Sequence, residues 1–88
     1  MTRESLPDMK FLVIGAGAIG TYIGGSLALS GQSVVFLERP EVAASLRKSG
    51  LRVEIDGIEH HVSAPQIVST VDEALTCGPF DVGLLAVK

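Results

Sequence analysis

The sequence is poor in aromatic side chains: its 88 residues include no tryptophan, one tyrosine and three phenylalanines. Its apolar fraction of 47% therefore comes mainly from small aliphatic residues. This composition suits a core in which helices cover a parallel sheet, because strands buried on both faces are rich in valine, isoleucine and leucine. A chain of this length forms one domain at most and buries roughly 60 to 65% of its unfolded surface.

Cysteine and positive charge are also scarce. Cys77 is the only cysteine, so an internal disulfide is excluded and the reducing cytoplasm is the simplest location. Seven Lys and Arg against ten Asp and Glu give a net charge of -3, which argues against nucleic acid or an anionic membrane as the partner. Residues 1–8 are polar, and we expect a flexible tail rather than a signal peptide or membrane anchor.

The sequence does contain a glycine-rich turn between an apolar strand and a helix. Residues 11–14 predict the strand and residues 18–30 predict the helix. Gly15, Gly17 and Gly20 mark the junction with the spacing G-x-G-x-x-G. In this context the spacing predicts a dinucleotide-binding turn, in which a pyrophosphate lies against the backbone at the first N–H groups of the helix.

Each glycine of this segment has a physical role. Gly15 allows a sharp turn with backbone angles that a Cβ would forbid, and Gly17 allows phosphates to approach the main chain. Gly20 allows the helix and the sheet to pack closely. Gly24 and Gly25 each cost about 1 kcal/mol relative to alanine inside a helix. We expect close contact with the strand beneath the helix to compensate for this cost.

The rest of the chain predicts a further alternation of strands and helices, with Pro40 at the start of one helix and Gly50 at its end. Asp56-Gly57 predicts a tight hairpin turn. The predicted elements are strand 34–37, helix 41–49, a half-exposed hairpin of strands 51–55 and 58–62, a short strand 66–68, a helix from the capping pair Thr70 and Glu73 through Cys77, and an apolar strand within 81–87. The last strand is almost unbroken in apolar residues, which predicts a central parallel strand buried on both faces.

This order of elements predicts an α/β fold of the Rossmann type, with a doubly wound and mostly parallel sheet. A complete fold of this kind has six strands in two halves, and this chain supplies about the amino-terminal half together with a β-hairpin. We therefore expect residues 9–88 to form a partial dinucleotide-binding domain. Hydride transfer needs a second wall that holds the substrate over the nicotinamide, so we expect these residues to bind a cofactor without catalysing a reaction on their own.

Two charged residues after the second strand bear on the choice of cofactor. An acidic residue at this point binds the ribose hydroxyls of NAD, whereas an arginine accommodates the extra phosphate of NADP. Glu38 and Arg39 are adjacent here, and neighbours at a strand end point in opposite directions. Because Val34 to Leu37 is apolar throughout, the alternation leaves open which of the two faces the ribose.

Other polar positions have simpler explanations. Lys88 follows the last predicted strand, at the edge where open α/β sheets bind ligands, and a solvent-exposed lysine is an equal alternative. His60 and His61 are strand neighbours without further ligands beside them, so we expect hairpin surface rather than a metal site. Cys77 has no identifiable base near it, and we expect a passive thiol.

Four segments occur in a recognisable order: VIGAGAIG, the strand end FLER, AASLRKSGLRVEIDG and the closing GPFDVGLLAVK. Together they resemble the amino-terminal domain of the ketopantoate reductase family, over residues 9–88. Glu38 departs from the family pattern, in which a small or apolar residue more often precedes the arginine. The resemblance implies a Rossmann domain followed by a helical substrate domain that lies beyond residue 88.

The resemblance also implies an activity, the reduction of 2-dehydropantoate to pantoate by NADPH on the way to pantothenate and coenzyme A. The implied partners are NADPH and a small 2-keto acid, and a homo-oligomer is compatible with them. The family's catalytic lysine would lie beyond residue 88, Arg39 would bind the 2′-phosphate of NADP, and Lys88 would support the same cofactor. The implied cofactor-binding residues are Gly15, Ala16, Gly17, Ala18, Ile19, Gly20, Arg39 and Lys88.

Two other classes of function share these features. The first is the FAD-binding half-domain of a flavoprotein, because a strand that ends in glutamate, as in VVFLE, also suits the ribose of FAD. The second is a non-catalytic nucleotide-sensing module, in which the same half-fold gates a partner protein.

Overall fold

The computed structural model describes residues 9–15 and 17–86, which form six strands and three helices. In chain order these are β1 (Lys10–Ile14), α1 (Ala18–Leu29), β2 (Ser33–Leu37), α2 (Pro40–Ser49), β3 (Leu51–Ile55), β4 (Ile58–Val62), β5 (Gln66–Val68), α3 (Val71–Cys77) and β6 (Val82–Leu85). Every predicted element is present, and its ends lie close to the predicted ones.

Four strands form a parallel sheet in the order β5-β2-β1-β6. β1 runs beside β2 in a register that ends with Ile14 opposite Leu37, and it pairs on its other side with β6. β5 continues the parallel sheet beyond β2. The carboxyl ends of these strands therefore meet at one edge of the sheet. The predicted fold class, a partial Rossmann-type α/β fold with an added hairpin, is confirmed.

Hydrophobic cores lie on both faces of the sheet. On one face Val13 and Phe36 pack together with Ala43 of α2 and with the hairpin. On the other face Val35 packs with Ala74 of α3. Successive residues of a strand point to opposite faces, so an apolar strand such as β2 fills both cores at once. The two covered faces explain why residues 34–37 of this strand are apolar without interruption.

The glycines of α1 bring the helix close to its neighbours. A Cβ placed on Gly24 would lie 2.5 Å from Cε1 of Phe36 and 3.2 Å from Cγ2 of Val13, and a Cβ on Gly25 would collide with Cγ2 of Val53. The helix thus contacts the parallel sheet through one glycine and the hairpin through the next. The expected close contact with the strands beneath the helix is confirmed for Gly24, whereas Gly25 contacts the hairpin instead.

The hairpin is a separate two-stranded sheet of β3 and β4, not an extension of the parallel sheet. Its turn places Asp56 at a φ of 53° and Gly57 at a φ of 79°, as an Asp-Gly turn predicts. Leu51 and Val53 of β3 are buried, and the alternate positions of that strand are exposed. The half-exposed character of the hairpin is therefore confirmed.

The start of α3 has the predicted capping box. The hydroxyl oxygen of Thr70 accepts the N–H of Glu73 at 3.1 Å, and the Glu73 carboxylate accepts the N–H groups of Thr70 at 3.2 Å and Ser69 at 2.9 Å. Hydrogen bonding to a carboxylate favours its charged form. The Ser69 N–H is the largest cause that lowers the pKa of Glu73 below its ordinary value of 4.5.

Within the described residues, the last strand is not buried on both faces as predicted. Among the strands that the structure describes, β6 pairs with β1 alone and lies at an edge of the sheet. Its residues alternate between half-buried and exposed, and Leu85 is 71% exposed. An apolar run predicts a strand, but burial on both faces also needs covering elements and a second neighbour, which residues 9–15 and 17–86 do not supply.

Candidate nucleotide-binding site

A groove of about 440 Å³ opens where the chain leaves three strands of the parallel sheet, β1, β2 and β5. Because β1 and β2 end in register, the loops that follow them begin side by side. This is the edge at which open α/β sheets bind ligands, and the volume falls in the usual range for small-molecule sites. The groove is lined by Ile14, Gly15, Leu37, Glu38, Arg39, Pro40, Ser69 and Val71.

Two glycines give the turn after β1 its shape. Gly15 has a φ of 91°, in the region that favours glycine, and its N–H donates to the carbonyl oxygen of Leu37 at 2.9 Å. A Cβ on Gly20 would collide with the carbonyl oxygen of Gly15 and would lie 3.0 Å from the Cβ of Ala86. The glycine-rich loop after β1 and the first turn of helix α1 are therefore packed against each other, with no room for a side chain at Gly20.

The amino-terminal end of α1 is open to a ligand. Gly17 is the N-cap residue, it is exposed, and no side chain caps the helix there. A Cβ on Gly17 would meet no atom within 4 Å. The first N–H groups of a helix have no intrahelical acceptor, and the first turn of α1 carries no acidic residue. An anionic group can therefore approach these N–H groups, which the helix dipole makes favourable.

The structure places Glu38 and Arg39 at the groove in different environments. The Glu38 side chain is 14% exposed and that of Arg39 is 73% exposed. One carboxylate oxygen of Glu38 accepts a hydrogen bond from the backbone N–H of Arg39 at 2.9 Å, and the same oxygen lies 3.9 Å from the side-chain Nε of Arg39. The backbone N–H of Glu38 donates to the carbonyl oxygen of Val68 at 3.0 Å. The sequence left their orientation open, and the fold gives the acid the partly buried position.

These features fit a nucleotide that carries phosphate and ribose. Exposed Gly17 and the uncapped start of α1 offer N–H donors for phosphate without an obstructing side chain. Glu38 and Arg39 bring an acceptor and a cation to the end of β2, where the ribose of a dinucleotide lies in this fold class. The geometry and the donor set are therefore suited to a dinucleotide.

The remaining predicted site residues differ in where they lie. Ala16 and Lys88 lie outside the described residues. Ala18 begins α1, and Ile19, which follows it, is 69% exposed. Sequence reasoning did not identify Ser69, which lines the groove just beyond β5. Its position after a strand was visible in the sequence, but the pairing of β5 with β2 was not.

The residues that suggested other chemistry have structural contacts of their own. The Nε2 atom of His61 lies 3.0 Å from the carbonyl oxygen of Ser49 at the end of α2. The Sγ atom of Cys77 accepts a hydrogen bond from Nε2 of Gln66 at 3.6 Å. Among residues 9–15 and 17–86, no three His, Cys, Asp or Glu side chains are grouped so that they could hold a metal ion. In the same part of the chain, every helix is too short or too polar to cross a membrane.

Comparison with protein families identifies a match over nearly the whole chain. The family model described as "Ketopantoate reductase PanE/ApbA" matches residues 11–88. The chain is 42% identical over 81 residues to the uncharacterized oxidoreductase YkpB of Bacillus subtilis. This alignment covers 91% of this chain and 25% of that protein. It is 41% identical over 46 residues to the 2-dehydropantoate 2-reductase of Pyrococcus horikoshii, covering 52% of this chain and 15% of that protein.

Two crystal structures have the same fold. A protein of Ralstonia solanacearum assigned as a ketopantoate reductase aligns with a TM-score of 0.76 and 33% identity, over 93% of this chain and 24% of that one. A protein of Enterococcus faecalis assigned as a 2-dehydropantoate 2-reductase aligns with a TM-score of 0.74 and 28% identity, over 91% of this chain and 26% of that one. The chain thus spans about a quarter of the length of these structures and of the Bacillus protein.

Proposed function

Because this chain belongs to the ketopantoate reductase family, we propose that it is the NADP-binding part of a reductase that converts the 2-keto acid 2-dehydropantoate to pantoate. The observation that carries this proposal is the groove at the strand ends, which lies beside an uncapped helix start and contains a cation. The proposed location is the cytoplasm, and the proposed partners are NADPH and a small 2-keto acid.

In this proposal the residues of the chain bind and orient the cofactor. The N–H groups at the start of α1 hold the pyrophosphate, and Gly15 and Gly20 keep the turn close to the helix so that those groups stay accessible. Arg39 holds the 2′-phosphate. NADPH supplies a hydride when it is bound. We propose that a partial Rossmann domain over residues 9–88 does this binding and that a helical domain beyond residue 88 holds the substrate.

The two alternative functions are not favoured by the comparisons. The relatives described above are named as an oxidoreductase and as a 2-dehydropantoate 2-reductase, and the two crystal structures described above are assigned to the same family. A flavoprotein half-domain or a nucleotide sensor would share this fold but would need a different kind of domain beyond residue 88.

Binding measurements test the proposal. Purified protein, produced as the full natural chain, is titrated with NADPH and NADH while nucleotide fluorescence is recorded. We expect both to bind and NADPH to bind more tightly. Replacing Arg39 by alanine should remove most of this preference while leaving NADH binding nearly unchanged, because the lost contact is to the 2′-phosphate alone.

Arg52 provides a matched control, since it is an exposed arginine on the hairpin and does not line the groove. Arg52→Ala should leave both affinities within about twofold, because screening weakens contacts between distant surface charges. Equal affinities for the two nucleotides in the unmodified protein would contradict the role of Arg39. Oxidation of NADPH on addition of 2-dehydropantoate, followed at its absorbance maximum, tests the substrate separately.

A further inference from the structure

The turn between β5 and α3 forms one wall of the groove. Ser69 and Val71 line the groove from this side. Val68 is the last residue of β5, and its carbonyl oxygen accepts the N–H of Glu38 at 3.0 Å, which ties the ends of two neighbouring strands together. Ser69 and Val71 lie beyond this tie. Their position therefore depends on the contacts that hold the start of α3.

Glu73 holds this turn from the first turn of α3. One oxygen of its carboxylate accepts the N–H groups of Ser69 and Thr70, at 2.9 and 3.2 Å. The Thr70 hydroxyl oxygen accepts the N–H of Glu73 in return, at 3.1 Å. Hydrogen bonds to an ionised acceptor are among the stronger ones in proteins. Glu73 does not line the groove itself, but its contacts fix the backbone of the two residues that precede Val71.

The starts of α1 and α3 therefore differ in what they offer to a ligand. No side chain caps the start of α1, and the proposed function assigns its N–H groups to the pyrophosphate. At the start of α3, the N–H groups of Ser69, Thr70 and Glu73 already donate within the capping box. This end of the groove contributes a shaped wall and no hydrogen-bond donors for an anion from these three groups.

We propose that Glu73 is a positioning residue for nucleotide binding, which orders the turn that carries Ser69 and Val71 so that the groove is shaped before the nucleotide binds. A site that is formed only part of the time binds its ligand with an affinity reduced by that fraction. Loss of the capping contacts therefore weakens binding without removing any group that touches the nucleotide. The inference rests on the proposed function, because it requires the nucleotide to lie in this groove.

Glu73→Ala tests this role, because it removes the acceptor of both N–H groups. The full natural chain is titrated with NADPH while nucleotide fluorescence is recorded. Loss of a helix cap typically changes an equilibrium constant by a factor of about five, so we expect NADPH to bind about fivefold more weakly. The variant also removes a negative charge, which by itself would strengthen the binding of an anionic nucleotide. The expected change is therefore opposite in sign to the effect of charge alone.

Two control variants separate positioning from charge and from overall stability. Asp72→Ala removes the same charge from the same turn of α3, but Asp72 is not part of the capping box and does not line the groove. We expect it to bind NADPH as tightly as the unmodified protein or more tightly. Val53→Ala lowers stability through the hairpin core, where Val53 is 2% exposed. Its affinity should stay within about twofold, because distant sites act independently.

A conservative variant and a smaller ligand show how and where the effect arises. Glutamine can replace glutamate in a capping box, so Glu73→Gln should bind NADPH within about twofold of the unmodified protein. Adenosine 2′,5′-bisphosphate is the part of NADPH that carries the 2′-phosphate, which the proposed function places in the groove at Arg39. It should lose the same factor as NADPH in Glu73→Ala, because the wall of the groove has changed.

Circular dichroism confirms that each variant is folded at the temperature of the titration. The inference is overturned, and the proposed function is left intact, if a folded Glu73→Ala binds NADPH as tightly as Asp72→Ala does or if Val53→Ala loses as much affinity. A loss for NADPH without a loss for the bisphosphate, or a Glu73→Gln protein as weak as Glu73→Ala, has the same consequence. If Glu73→Ala does not fold, Thr70→Ala takes its place in these comparisons. Failure of the unmodified protein to bind NADPH overturns both the inference and the proposed function.

Discussion

Gly17 and Gly20 allow the binding role of the glycine-rich turn to be separated from its packing role. Both lie at the start of α1, three residues apart, and each can be replaced by alanine with the addition of one methyl group. A Cβ on Gly17 would meet nothing within 4 Å, whereas a Cβ on Gly20 would collide with the carbonyl oxygen of Gly15. We therefore expect the same chemical change to affect binding at one position and stability at the other.

The expected effect of Gly17→Ala on stability is small because two contributions oppose each other. Gly17 has a φ of -71°, which alanine adopts without strain, and the loss of freedom in the unfolded chain then stabilises by about 0.4 to 1 kcal/mol. Gly17 is also the N-cap residue, where alanine is worse than glycine by roughly 0.5 to 1 kcal/mol. The free energy of unfolding should therefore change by less than about 0.5 kcal/mol.

Gly20→Ala should destabilise the protein. Alanine gains about 1 kcal/mol over glycine in a helix, but overpacking costs about 1 to 3 kcal/mol and occasionally more. The atom in the way is a backbone carbonyl oxygen of a residue at positive φ, which cannot rotate aside like the end of a side chain. The overpacking cost should therefore lie at the upper end of its range, and we expect a net loss of about 2 kcal/mol in the free energy of unfolding.

Urea denaturation and nucleotide titration measure the two effects on the same samples. Gly17→Ala should unfold at the same urea concentration as the unmodified protein but bind NADPH about tenfold or more weakly, because the methyl group occupies the approach of the phosphates to the helix N–H groups. A Gly17→Ala protein that is stable and binds NADPH normally would refute the placement of the pyrophosphate at this end of α1. A Gly20→Ala protein of full stability would refute the packing argument.

Two further predictions concern stability alone. In Gly25→Ala the gain of about 1 kcal/mol in helix propensity opposes an overpacking cost of about 1 to 3 kcal/mol, because the added methyl group meets Val53, so we expect a net loss of up to about 2 kcal/mol. In the double variant with Val53→Ala the loss should be smaller than the sum of the single losses; additive losses in urea denaturation would show that the two residues are not in contact. The folded state lowers the pKa of Glu73. The contribution of the charged Glu73 carboxylate to stability should therefore be complete above the ordinary pKa of 4.5 and should decline as the pH falls through the lowered pKa of the folded state. Glu73→Gln should reduce the fall of the thermal midpoint between about pH 5 and 3 by more than Asp72→Asn, which leaves the capping box intact; equal profiles for the two variants would contradict the role of the capping box.

Much of the secondary structure follows from short segments of the sequence. Pro40 begins α2, Asp56-Gly57 turns the hairpin, and Thr70 with Glu73 caps α3, as predicted. Each of these signals acts within a few residues, through a fixed φ, a permitted positive φ or a side chain that reaches a nearby N–H group. Local chemistry is sufficient to place them, and the glycine spacing after β1 indicated the position of the candidate site for the same reason.

The sequence by itself determined the elements, their caps and the glycine-rich turn, whereas the tertiary structure decided which residues share the groove and how they face it. The apolar run of β6 predicted a strand but not its pairing with β1 alone among the strands that the structure describes, because burial depends on neighbours distant in the chain. Ser69 entered the groove only through the pairing of β5 with β2. Glu38 and Arg39 are equivalent neighbours in the sequence, and only the packing of the strand ends gave the acid the more buried position and left the arginine exposed.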